Sequence, residues 1–216
     1  MAVGEHRVRI PAGSVSLHGD LMVPDGSRGI VLFAHGSGSS RHSPRNRYVA
    51  AALREARLAT LLMDLLTMDE EAIDARTGHL RFDIALLASR LVATTDWLVS
   101  EPDTAHLAIG YFGASTGAAA ALIAGAERRQ VVRAIVSRGG RPDLAGDALG
   151  RVTAPTLLIV GGHDEPVIAM NRDAMAQMRA KVELEIVPGA SHLFEEAGTL
   201  ETVARLARDW FVRHLG

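Results

Sequence analysis

At 216 residues, with 48% hydrophobic and 22% charged content, the chain fits one compact domain with a sizeable core, residues 1–216. Net charge is −2 with the nine histidines neutral, and the arginines are interspersed with acidic residues, so nucleic acid is not an expected partner. Cysteine is absent, which removes disulfides and a thiol nucleophile. The first residues, MAVGEHRVRIPAG, lack the apolar core of a signal peptide, and no apolar run is long enough for a membrane span, so a cytoplasmic location without a membrane partner is expected.

The segment Glu5 to Pro24 alternates in two short runs around Pro11-Ala12-Gly13 and reads as an antiparallel edge hairpin. After it, short apolar runs alternate with longer helix-like stretches, the pattern of βα units and a mostly parallel sheet covered on both faces. A strand over Ile30 to Ala34 precedes a helix over Arg45 to Glu55, and a strand over Ala59 to Met63 precedes an irregular stretch, Leu65 to His79, read as a surface loop. A helix over Leu80 to Val99 leads to a strand over Leu107 to Phe112 and a helix over Ser115 to Arg129. Strands over Val131 to Val136, Pro155 to Val160 and Leu184 to Val187 follow, with helices over Val167 to Ala180 and Leu200 to His214. The fold class is α/β: three layers, a mostly parallel central sheet with an N-terminal antiparallel hairpin, and no cap domain, since only Ser137 to Ala154 separates two of the strands.

The pentapeptide Gly113-Ala114-Ser115-Thr116-Gly117 follows a strand and opens an alanine-rich helix, the setting a G-x-S-x-G elbow requires. Such a pentapeptide is common enough by chance that its context, not the match, carries the weight. A sharp strand-to-helix turn lifts the hydroxyl to the carboxyl edge of the sheet, beside helix N–H groups that favour developing negative charge. The alternative role for Ser115 is an ordinary helix N-cap.

A serine hydroxyl needs a base, and the base needs a carboxylate to hold its tautomer. His192, in Gly189-Ala190-Ser191-His192 after a strand, is the candidate base. His163 directly precedes the candidate acid, and His214 sits at a helix C-terminus where a structural role suffices. Asp164, in Gly161-Gly162-His163-Asp164-Glu165-Pro166, is the candidate acid; its alternative role is the N-cap of the next helix, and Glu165 and Asp143 are substitute acids. Ser115, Asp164 and His192 follow the chain order Ser, Asp, His, each at the end of a different strand. The small-residue turn His35-Gly36-Ser37-Gly38-Ser39-Ser40 offers the backbone N–H of Ser37 as an oxyanion donor beside that of Thr116, with His35 organising the turn. That turn lacks the third glycine of a dinucleotide fingerprint and the Gly-Lys-Ser/Thr of a P-loop, and no H-E-x-x-H spacing occurs; no cofactor and no metal are expected.

Together the HGSGSS turn, the GYFGASTG elbow, the GGHDEPV loop and the GASHLFEE loop resemble the α/β-hydrolase superfamily, most closely its dienelactone-hydrolase-like branch, over nearly the whole chain. The resemblance implies Ser115 as nucleophile, Asp164 as acid, His192 as base and the backbones of Ser37 and Thr116 as oxyanion donors. Dienelactone hydrolases proper carry cysteine where this chain has Ser115, so a small carboxylic ester is the expected substrate. A thioesterase, lactonase or acyltransferase on the same triad, and a non-catalytic binding module on a hydrolase fold, are the alternatives. Similar domains also occur joined to phosphoribosyltransferase domains, although nothing in this chain itself suggests nucleotide chemistry. Arg138, Arg141 and Arg41 could face the mouth of the site and pair with an acidic substrate group, although solvated surface positions are the commoner place for arginine.

Overall fold

The computed structural model describes residues 4–216. Eight strands form one sheet: β1 (His6–Ala12), β2 (Val15–Met22), β3 (Gly29–Ala34), β4 (Ala59–Met63), β5 (Ala108–Ala114), β6 (Val132–Arg138), β7 (Thr156–Gly161) and β8 (Val182–Val187). Their order across the sheet is β1-β2-β4-β3-β5-β6-β7-β8. β1 pairs antiparallel with β2 and β2 with β4, while every pairing from β4 to β8 is parallel.

The helices are α1 (Pro44–Glu55), α2 (Met68–Thr77), α3 (Ile84–Ser100), α4 (Thr116–Glu127), α5 (Glu165–Gln177) and α6 (Thr199–Leu215). Side chains alternate faces along a strand, so β3 sends Ile30, Leu32 and Ala34 into one core with α3 and α4, and Val31 and Phe33 into the other with α1 and α6. Two apolar layers thus sandwich the sheet, which is why the inner strands read as uninterrupted apolar runs. The small residues Ala118 to Ala121, all buried, let α4 lie close against the strands.

Two expectations are corrected. The hairpin turns at Gly13 and Ser14, and Pro11 lies within β1 opposite Ser16; a proline is tolerated there because β1 is the edge of the sheet. The stretch read as a loop from Leu65 to His79 contains α2, started by a capping box between Thr67 and Glu70 and stopped by Gly78 in the left-handed conformation. The connection from β6 to β7 is a pair of 3-10 turns over Pro142–Arg151, kinked at Gly146, which pack on α4 and α5.

Candidate active site

Strand register gathers the chemistry on one edge. Ala34 pairs with Gly113, Ala114 with Arg138, Arg138 with Ile159, and Gly161 with Val187, so β3, β5, β6, β7 and β8 all end side by side. Loops at the carboxyl ends of parallel strands are where such folds place their ligands. The residues singled out from sequence sit directly beyond these ends.

Ser115 stands between β5 and α4 with φ +50° and ψ −121°, a conformation rare for a residue with a side chain. Its N–H donates to the carbonyl of Arg138 at 3.2 Å, and its own carbonyl accepts from Ala118 and Arg141 at 3.1 and 3.2 Å. The surroundings hold the strain in place. A Cβ on Gly117 would lie 2.3 Å from the carbonyl oxygen of Ala34 and 2.5 Å from that of His35, and one on Gly113 would lie 2.5 Å from the Cα of Ala118. Only glycine permits this crossing of strand, helix and turn. The N-cap role for Ser115 is not realised, since its side chain makes no capping hydrogen bond.

His192 and Asp164, on the loops that leave β8 and β7, lie together, with Nδ1 of His192 2.6 Å from Oδ2 of Asp164. Asp164 occupies the N-cap position of α5 but makes no side-chain capping bond, so its carboxylate is turned to the imidazole instead of the helix. The two loops are bonded to each other: the N–H of Gly162 donates to Val187 at 2.8 Å and that of His163 to Ala190 at 2.9 Å. A Cβ on Gly161 would lie 2.5 Å from the carbonyl oxygens of both Ala190 and Ser191, so this packing requires glycine. The histidine loop is further held by Glu196, which accepts from the N–H of Ser191 at 3.0 Å and whose carboxyl is lowered below its ordinary value by that bond. The substitute acids stand apart, Asp143 paired with Arg141 at 2.7 Å and Glu165 exposed on α5.

His35 is buried with both ring nitrogens engaged. Nδ1 donates to the carbonyl of Gly36 at 2.9 Å, and Nε2 accepts from the N–H of Leu65 at 3.0 Å, which fixes a neutral tautomer. Burial lowers its pKa, opposed by the Gly36 bond and Asp64. His35 therefore shapes the turn that carries Ser37, as the sequence suggests.

A cavity of about 220 Å³ is lined by Gly36, Ser37, Ser115, Arg138 and His192 together with the first turn of α1. A second, of about 430 Å³, lies across the same turn toward α2, where Leu66, Glu71 and Leu87 contribute walls. Gly36, Ser37, Ser39 and Ser43 line both. Of the three arginines considered at the mouth, Arg138 lines the smaller cavity and the other two line neither. Arg41 is taken up by ion pairs with Asp64 and, at 3.6 Å, Asp20, and Arg141 grips Asp143 with two hydrogen bonds of 2.9 and 2.7 Å. Sequence reasoning missed Arg45 and Asn46, which also line the cavity. Their signal was positional: the helix after the HGSGSS turn must present its N-terminus to the same sheet edge.

The dienelactone hydrolase family pattern matches residues 46–212. A crystal structure of a dienelactone hydrolase from Anabaena variabilis superposes with a TM-score of 0.97, at 64% identity, covering 99% of each chain. Est1E from Butyrivibrio proteoclasticus shares the fold at a TM-score of 0.80 with 17% identity, over 96% of this chain and 98% of that one. A protein of Mycobacterium tuberculosis provisionally named a phosphoribosyl transferase is 62% identical over 211 residues, which is 98% of this chain and 47% of that protein. The chain thus spans about half the length of the curated relative it matches. With this fold, and with a family pattern running from α1 into α6, the chain belongs to the dienelactone hydrolase family.

Proposed function

We propose that this protein is a serine hydrolase that cleaves small carboxylic esters through an acyl-Ser115 intermediate. The observation that carries the reading is the 2.6 Å pairing of His192 with Asp164 on the sheet edge where Ser115 is held in a strained turn. A carboxylate at Nδ1 fixes the proton on that nitrogen and leaves Nε2 to accept a proton from the serine hydroxyl. Ser115 Oγ then attacks the ester carbonyl, and the backbone N–H groups of Ser37 and Thr116 receive the oxyanion. Protonated His192 returns its proton to the departing alcohol, and water attacks the acyl-serine by the same route in reverse.

The smaller cavity, about 220 Å³, suits a short substituent on one side of the scissile bond, and the larger suits the other side. A panel of short to long p-nitrophenyl esters, run with fluorophosphonate labelling on wild type and Ser115→Ala, tests the reading. Loss of both hydrolysis and labelling in the mutant is expected, and their persistence would overturn it. The same groups serve a thioester, a lactone or an acyl acceptor other than water, so a matched leaving-group panel separates these. The transferase name of the mycobacterial relative is assigned, in this reading, to the half that this chain does not span.

A further inference from the structure

Helix α5, whose N-cap position is Asp164, buries the side chains of Val167, Asn171 and Ala174. Val167 and Ala174 are apolar, as a packed face requires. Asn171 is not, yet it is fully buried. Its Nδ2 donates to the carbonyl of Val167, one turn back, at 2.8 Å and to that of Gly140, in the connection after β6, at 3.0 Å, while its Oδ1 is buried without a partner. Both amide protons are thus committed, and the reversed amide would set an oxygen against two carbonyls. Asparagine is a poor helix former, and an unsatisfied buried oxygen costs stability that an apolar side chain of the same size would not. An amide at this position is explained by what it holds, not by packing.

What it holds is the strap Arg138 to Arg141. The N–H of Ser115 donates to the carbonyl of Arg138, and the carbonyl of Ser115 accepts from the N–H of Arg141, both at 3.2 Å, so the strap grips the peptide groups of the nucleophile on both sides. Between these two bonds lie two buried glycines. Gly139, with φ +50°, donates to the carbonyl of Ile159 at 2.7 Å, and a Cβ on it would lie 3.2 Å from the carbonyl oxygen of His192 and 3.5 Å from Nδ1 of its ring. A Cβ on Gly140 would run into Oγ of Ser137 and lie 2.7 Å from Cβ of Ala118, in the first turn of α4. The strap therefore passes between the serine elbow and the histidine loop, close against both. Two glycines in succession give it little stiffness of its own. Among the described residues no backbone N–H donates to the Gly140 carbonyl, so Asn171 supplies its anchor.

We propose that Asn171 is a positioning residue of this site: by fixing the Gly140 carbonyl it holds the strap against Ser115 and His192 at once. The helix that begins beside Asp164 is thereby tied to the other two members of the candidate triad. For its effect on turnover the proposal rests on the ester-hydrolysis reading; the placement of the His192 ring does not depend on it. Without the anchor the strap is free to shift, and with it the elbow and the histidine that it separates. A misplacement of about 1 Å between reacting groups costs on the order of 10²-fold in rate.

Two variants test this. Asn171→Leu keeps the volume and loses both hydrogen bonds; Asn171→Ser keeps a donor for the Val167 carbonyl one turn back but is too short to serve Gly140 as well, and it stands in should the Leu variant not fold. At a temperature well below each unfolding transition, kcat and KM on p-nitrophenyl acetate are measured, together with the rate constant of fluorophosphonate labelling. The low-field proton NMR signal of His192 Nδ1–H, identified by its absence in His192→Gln, is recorded on the same samples. In both variants kcat and the labelling rate constant are expected to fall about 10- to 100-fold with KM changed by less than about twofold, and the His192 signal to shift or broaden. Folded variants that keep the wild-type kcat and labelling rate constant, whatever stability they lose, overturn the proposal, as does a loss confined to KM. Should the wild type itself neither turn over the ester nor take the label, the esterase reading falls, and the NMR signal alone decides: altered in the variants, it upholds the positioning role, and unchanged, it ends it.

Discussion

Nδ1 of His192 and Oδ2 of Asp164 lie 2.6 Å apart although 28 positions separate them in the chain, because β7 and β8 are neighbours and their exit loops are bonded to each other. An amide in place of the carboxylate keeps the shape but removes the negative charge and replaces one acceptor oxygen by an N–H donor, which favours the wrong imidazole tautomer. Asp164→Asn is therefore expected to lower kcat by about 10⁴ with little change in unfolding temperature, measured on a p-nitrophenyl ester and by thermal denaturation.

Ser115 stores backbone strain, so its loss separates stability from activity. Ser115→Gly relieves a positive φ that glycine adopts freely and is expected to raise stability by about 1 kcal/mol, while turnover falls by about 10⁶. Ser115→Ala, which keeps the Cβ, should lose as much activity without that gain. Urea unfolding of both variants beside wild type checks the difference.

Gly117→Ala would thrust a Cβ into the carbonyls of Ala34 and His35, which are backbone atoms of a buried strand and turn and cannot step aside cheaply. Stability should fall by about 1–3 kcal/mol. Activity should fall further than stability implies, because the displaced turn carries Ser37. Comparing kcat at a temperature well below the variant's unfolding transition tests this.

The pH dependence of stability follows from His35, whose pKa is lowered in the folded state mainly by burial. The unfolded chain then binds the proton more readily, so the full contribution is present above its ordinary value of 6.5 and shrinks as pH falls toward the folded value. His214, also lowered mainly by burial, acts in the same direction. Unfolding free energy should decline on going from pH 7.5 to about pH 5, and His35→Gln should flatten part of that slope. An unchanged slope in the variant would remove His35 from the account.

Much of this arrangement is legible in the sequence because the inner strands are buried on both faces, so β3 to β7 appear as apolar runs and their exit loops can be located to within a residue or two. Helix α2 escapes that reading for a physical reason. Its sequence, MDEEAIDART, buries only Asp74 among its helical residues, and so has no apolar stripe to reveal a period; only Thr67, Glu70 and Gly78 mark its ends. The Ser, Asp and His positions are readable because each follows a strand. The arginines are not, since Arg41, in the turn after β3, and Arg138, the last residue of β6, are distinguished by whether a folded neighbour supplies a carboxylate: Asp64 and Asp20 for the first, none among the described residues for the second.

The candidate triad is divided unequally between the middle and the margin of the sheet. Ser115 leaves central β5, whereas Asp164 and His192 leave β7 and β8, and β8 is an edge strand with much of its length only partly buried. Edge segments of this kind open at lower free energy than the whole molecule. Because the acid and histidine loops are tied together, such an opening withdraws proton acceptor and orienting carboxylate in one motion and leaves the serine where it was. Ester turnover should then disappear, on mild warming or in dilute denaturant, before the far-ultraviolet signal of the helices changes, and amide exchange should mark β8 as the first parallel strand to open.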